Sequence, residues 1–204
     1  MRVKTDSRRQ AILDTALALF REVGYERASM AAIAARVGGS KGTLYNYFKN
    51  KDDLFAAAMV GAMEEQGIAM LDLLDSGSDD VRVVLCRFGA AYVRFLSAPE
   101  HLSIVRTVVS EGANATLGAQ LYELGPKRGA REMAGFVLRM QEQGKLRQGD
   151  PMIVGAHLRA LLEAGIYEPQ LFGAAPDYDI ETAVALAVEA FLRAYGLDPA
   201  AANP

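Results

Sequence analysis

Met30, Ile33, Ala34 and Val37 stand at i, i+3, i+4 and i+7, and the glycine pair Gly38-Gly39 follows at once. That spacing places four apolar side chains on one stripe of a short helix, with Ser29 positioned to cap its start and glycine to end it. The chain then restarts at Ser40 and runs SKGTLYNYFKNK to Lys51. Leu44 and Phe48, four apart, share one face of a second helix and can anchor it. Lys41, Gly42, Tyr45 and Asn46 fall on the outer arc, with Thr43 and Tyr47 continuing the polar side. Two helices joined by a glycine turn, the second with a polar outer face, make a helix-turn-helix, the arrangement that lays its second helix in the major groove of DNA.

The net charge of −3 over 204 residues suits a polyanion ligand only because it is unevenly spread. Residues 1–51 carry 10 Lys+Arg against 4 Asp+Glu, and residues 52–204 carry 12 against 21. A basic end attracts phosphate while an acidic body is repelled, which orients the molecule on DNA as well as binding it. A hydrophobic fraction of 51% fits a helix-rich globular chain able to bury a core. The single cysteine, Cys86, excludes an internal disulfide and favours the cytosol. The start MRVKTDSRRQ lacks the apolar segment of a secretory signal, and no run of about 18 apolar residues suggests a membrane span. His101 and His157 are too far apart in sequence for a zinc pattern. No nucleophile–base pair, phosphate loop or paired-carboxylate spacing points to an enzyme, and neither metal nor cofactor is expected.

The rest of the chain reads as helices throughout. Ile12, Leu13, Ala16, Leu17, Phe20 and Val23 keep the helical period in a first helix that Asp6 or Ser7 can cap and Gly24 can end. Arg2, Lys4, Arg8 and Arg9 lie before or at its start, as a basic arm for phosphate or the minor groove or, equally, as a solvated tail. From Lys51 a single helix of roughly 25 residues is expected, with Asp52 and Asp53 at its positive end. SGSDD marks a boundary, and Ser78 or Asp79 starts a helix that stops near Pro99. Further helices are expected from Glu100 to Ser110, around Leu117 to Leu124, from Pro126 to before Gly144, from Asp150-Pro151 onward, and from Asp179 to Tyr195, with a frayed tail after Leu197. The fold class is therefore all-α: a three-helix DNA-binding domain over residues 1–51, joined by a long helix to a larger helical domain over 52–204.

Ile12, Ala16, Phe20, Gly24, Ser29, Ile33, Ala34, Gly38, Ser40, Gly42, Leu44, Tyr45, Tyr47, Phe48, Lys51 and Leu54 stand at the spacing by which the N-terminal part resembles the TetR family of bacterial transcription regulators. The family's turn commonly reads Ala-Gly-Val-Ser; here it reads Val37-Gly38-Gly39-Ser40, so an apolar plug is missing and a looser junction is expected. Phe88 to Pro126 resembles a C-terminal module of a subset of these regulators, several of which control efflux or secretion genes. The resemblance implies a repressor that binds a palindromic operator as a homodimer, with the long helix linking effector to operator, and is released by a small molecule. A ligand-independent DNA-binding dimer acting structurally or through protein partners is the alternative.

Site residues follow. Lys41 can reach a guanine edge or a phosphate, Gly42 admits close backbone approach, Tyr45 can lie on a thymine methyl and Asn46 can read adenine. By resemblance Ser29, Thr43, Tyr47 and Lys51 bind phosphate, while Lys41, Gly42 and Tyr45 face bases. In the body, Phe88, Tyr92, Phe95, Val105, Val109, Phe136 and Met140 are candidates for an apolar effector pocket, with Tyr92, Arg106 or Glu111 as polar anchors for an amphiphilic or aromatic molecule; the same spacing also serves ordinary packing. Leu158, Leu161, Leu162 and Gly165, with Ala187 and Phe191 on the last helix, are assigned by resemblance to a four-helix dimer interface. The alternative, that these helices close the monomer core, stays open at this point.

Overall fold

A computed structural model describes residues 2–75, 80–110 and 115–197. The expected caps Ser78 and Asp79, the anchor Glu111 and the tail from residue 198 lie outside the described residues, as do the side chains of Arg2 and Lys4. In chain order the helices are α1 (Arg2–Arg27), α2 (Met30–Val37), α3 (Lys41–Tyr45), α4 (Lys51–Gly61), α5 (Glu64–Leu71), α6 (Val81–Ser97), α7 (Pro99–Ser110), α8 (Ala115–Leu124), α9 (Pro126–Glu142), α10 (Pro151–Glu163), α11 (Tyr167–Leu171) and α12 (Ile180–Tyr195), with a 3-10 turn over Asp72–Asp75. Apart from the isolated bridge between Leu146 and Gly196, the described residues form no β-structure. The expected all-α fold is what the chain adopts.

Packing divides the chain into Met1–Glu65 with Arg106–Gly125, and Gln66–Val105 with Pro126–Pro204. This differs from the expected boundary after Lys51. The reason is α4: its Leu54, Phe55 and Ala58 are buried, and Phe55 meets Phe20 and Tyr25 of α1 edge-on at 4.9 and 5.0 Å between ring centres. The helix therefore stays with the N-terminal three, and α8 packs on α4 within the same unit. Two further expectations are corrected. The first helix starts at Arg2, so Asp6 and Ser7 are exposed interior residues of α1 and not caps; nothing before them breaks a helix, and Arg and Lys favour one. The single helix expected from Lys51 is interrupted after Gly61, where glycine lowers helix propensity and Glu64-Glu65 begin a new first turn.

The second unit is built around Phe88, Phe136, Leu158, Leu162, Val188 and Phe191, all fully or almost fully buried. Helices α9 and α10, α6 and α12, and α10 and α12 pack in pairs around this cluster. α6 can approach its neighbours because position 89 is glycine: a Cβ there would come within 2.8 Å of Leu162 Cδ2 and of Val184 Cγ1. The helix starts use side-chain caps, Asp80 for α6, Asp150 before Pro151 for α10 and Asp179 for α12.

Candidate nucleic-acid interface

The two-helix motif forms as its spacing predicts. Ser29 Oγ accepts from Ala32 N at 3.1 Å and so caps α2, whose Met30, Ile33 and Ala34 turn inward. Gly38 closes the helix in the left-handed region, φ 71 and ψ 42, its N–H donating to Ala35 O while Gly39 N–H reaches Ala34 O at 3.0 Å; this is the Schellman closure that glycine at C′ permits. Ser40 then caps α3, accepting from Thr43 N at 3.0 Å. Leu44 and Phe48 are buried, 1% and 3% exposed, so the anchor pair lies on the inner face as expected.

Regular helix ends at Tyr45, yet Leu44 O still accepts from both Tyr47 N and Phe48 N at 3.0 Å, carrying the turn to the second anchor. Near-continuity of this helix with the next is not found: Asn50 is extended (φ −155, ψ −177) and caps α4 by accepting from Asp53 N at 2.7 Å. Outward, Lys41, Gly42, Tyr45 and Asn46 are exposed and contiguous, with Thr43 and Tyr47 half-buried beside them. Lys41 Nζ lies 5.8 Å from the Tyr45 ring centre, so the charge and the aromatic face stand together.

Lys51, expected at phosphate, is also held within the chain. Its ammonium donates to Tyr25 O at 2.9 Å and sits 4.0 Å from the Tyr25 ring centre, which ties it to the C-terminal end of α1. The Tyr25 hydroxyl in turn donates to Asp52. Nor is Arg8 a free arm, since its Nη2 donates to Gly38 O at 3.3 Å. Arg9 lies over the Phe48 ring, 5.4 Å from its centre. The turn at Gly39 is not left open, because a Cβ there would stand 2.9 Å from Arg8 Nη2 and the guanidinium occupies that space.

In the second unit Phe88, Tyr92 and Phe136 are buried, and Phe95 and Met140 pack partly buried against the same cluster. Val105 is half-buried; Arg106 is exposed and Val109 is 72% exposed, and these two fall in the first unit, outside that cluster. A polar group unforeseen in the sequence sits beside the aromatics. Tyr92 OH donates to Glu163 Oε1 at 2.5 Å, and Arg159 Nε donates to the same oxygen at 2.8 Å. His101 Nε2 lies 3.3 Å from Tyr167 OH. Burial raises the Tyr92 pKa, with Glu163 adding to the effect, and pushes Tyr167 up to about 12 and His101 down to about 4. The imidazole is neutral at pH 7.

The expected dimer contacts are corrected. Leu158, Leu162, Ala187 and Phe191 are at most 5% exposed within the single chain, filling the core between α10, α12 and α6. Leu161 is half-buried, and Gly165 lies past the end of α10. The free faces of these helices are the opposite ones: Met152, Ile153, Ala156 and Ala160 on α10, and Ala185, Leu186 and Ala190 on α12. Their signal was available in the apolar residues left over once one stripe is assigned inward, since both helices are apolar on more than one face.

Among the described residues no group of three or more His, Cys, Asp or Glu side chains is arranged to hold a metal ion, and no single helix is long and apolar enough to cross a membrane.

Residues 12–58 match the family model for bacterial regulatory proteins of the tetR family. Residues 83–197 match the C-terminal domain of AefR-like transcriptional repressors. The nicotine-responsive transcriptional repressor HdnoR of Paenarthrobacter nicotinovorans is 34% identical over 87 residues, a match covering 43% of this chain and 44% of that protein, so it spans less than half the relative's length. The flavonoid-responsive regulator FrrA is similar over 94% of this chain and 98% of its own, at 25% identity and a TM-score of 0.77. The SmeT–triclosan complex is similar over 95% and 93%, at 26% identity and a TM-score of 0.60.

Proposed function

The chain belongs to the TetR family of transcriptional repressors, non-enzymatic DNA-binding proteins, and we propose that it binds a palindromic operator as a homodimer and is released by a small apolar or aromatic effector. The observation that carries the reading is the outer face of α3: Lys41, Gly42, Tyr45 and Asn46 exposed together, with Leu44 and Phe48 locking the helix from beneath. Lys41, Gly42, Tyr45 and Asn46 are assigned to base edges, and Ser29, Thr43 and Tyr47 to phosphates. Ser29 Oγ uses a lone pair as the α2 cap and keeps its proton for a phosphate oxygen. Lys51 is assigned to holding α4 on α1 and contributes charge to the surface at most indirectly.

Homodimerisation is supported by the free apolar faces of α10 and α12, whose small residues allow close helix packing, and by the need of a two-fold partner to read two half-sites about 34–36 Å apart. An aromatic effector is supported by Phe88, Tyr92 and Phe136 in the second unit, with Tyr92, Glu163 and Arg159 as a polar anchor, and by the similarity to proteins named for nicotine, a flavonoid and triclosan. Cytoplasmic residence follows from binding DNA. A thermal-shift screen with planar aromatic compounds tests the release step: a compound that raises the unfolding midpoint is expected to weaken DNA binding. Stabilisation with no effect on DNA, or no hit across a broad panel, favours a DNA-binding dimer that acts without a ligand.

A further inference from the structure

We propose that Arg8 is the positioning residue of the recognition helix, its guanidinium standing where the side chain missing at Gly39 would stand. This rests on the reading of α3 as the DNA-reading element. At the helix-turn-helix junction the Schellman closure employs the N–H groups of Gly38 and Gly39 and the carbonyls of Ala34 and Ala35, and the carbonyl of Gly38 takes no part in it. Arg8 Nη2 donates to that carbonyl at 3.3 Å from 30 residues upstream. The same nitrogen lies 2.9 Å from where a Gly39 Cβ would be. Gly39 is not among the positive-φ glycines, so its backbone conformation does not itself call for glycine. A Cβ at 39 and the guanidinium in its present place cannot both stand, and the flexible end of Arg8 is the part that would move off the turn.

The neighbouring residue completes the device. Arg9 sits over Phe48 at the far end of the recognition segment, so adjacent arginines on α1 hold the turn before α3 and the anchor after it. The angle of α3 to α1 is set by this pair together with Leu44, in place of an apolar plug in the turn.

The test is a cycle of four full-length proteins: the parent, Arg8→Ala, Gly39→Ala and the double variant, each titrated with the duplex that the parent selects from a random pool. Gly39→Ala pushes the guanidinium off the turn, so each single change is expected to lower affinity about five- to tenfold, and the double variant to bind no worse than the weaker single, as contacting residues couple. Arg8→Lys keeps the charge but lacks the planar fork and should fall with Arg8→Ala at an unchanged salt slope. A silent Gly39→Ala, losses that multiply in the double variant, or a lysine that restores the parent affinity would overturn the proposal. Should the parent select no DNA, the reading of α3 fails separately, and thermal unfolding decides this inference. Gly39→Ala is expected to lower the midpoint when Arg8 is present and to leave or raise it when residue 8 is alanine; an equal shift in both backgrounds contradicts it.

Discussion

Gly42 occupies the second position of α3, exposed, and a Cβ built there meets only Ser40 Oγ at an ordinary 3.7 Å. Nothing in the fold requires glycine at this place, and alanine is the better helix former by about 0.8–1 kcal/mol. Gly42→Ala is therefore expected to leave the unfolding midpoint unchanged or raise it slightly while weakening DNA binding at least tenfold, by blocking the backbone's approach to the groove. Equal DNA affinity in the two proteins would remove Gly42 from the interface. Lys51 calls for the opposite pattern. Its ammonium holds the Tyr25 carbonyl and faces the Tyr25 ring, and a half-exposed hydrogen bond from a charged donor contributes about 1 kcal/mol. Lys51→Ala should cost about that much stability in urea titration, with the salt slope of DNA binding unchanged; a shallower slope at parental stability would return it to the phosphate contacts.

At the scale of elements, Gly89 lets α6 lie against α10 and α12, and a methyl group would meet Leu162 and Val184 at 2.8 Å. Gly89→Ala is expected to destabilise by about 1–3 kcal/mol through overpacking, measured by urea unfolding; an unchanged midpoint would mean the helices separate freely. His101, at the start of α7, is held neutral, its pKa down to about 4 from the ordinary 6.5 through burial. Between those values the unfolded chain binds the proton and the folded chain does not, so stability present at pH 7 is lost as the pH falls from 6.5 toward 4. His101→Phe should flatten that loss, and an identical pH dependence in the variant would contradict the assignment. How much of this the sequence revealed depended on how local the determinants were. The motif of α2 and α3 was legible because its caps, its glycine turn and the Leu44–Phe48 pair all lie within about 20 residues and obey the helical period. The split after Gly61 was missed because propensity alone does not say which glycine a helix tolerates. The inward stripe of α10 and α12 was misjudged because both helices carry apolar residues on opposite faces, and only the presence of α6 and α9 decides which one enters the core. Arg8 at Gly39 and Glu163 at Tyr92 are long-range pairs that no periodicity announces.

For the whole molecule, those opposite faces separate folding from the proposed assembly. Leu186 is 60% and Ile153 54% exposed, whereas Phe191 is fully buried. Leu186→Glu and Ile153→Arg are expected to give folded monomers that lose operator binding, while Phe191→Ala, which empties a core position, is expected to cost about 3–5 kcal/mol of stability; sedimentation and thermal unfolding distinguish the two outcomes, and a dimer that survives both surface changes would place the interface elsewhere. The unequal charge of the chain belongs to this scale too, since residues 1–51 are basic and residues 52–204 acidic, which favours phosphate contact through the N-terminal stretch. The predictions about DNA presuppose that the chain reads a specific sequence through two copies of α3. Selection of bound duplexes from a random DNA pool with purified protein tests that claim most directly. The expected product is an inverted repeat whose half-sites are about 10 base pairs, or a multiple of that, apart. Recovery of no motif, with weak binding that fades steeply as salt rises, would contradict the claim.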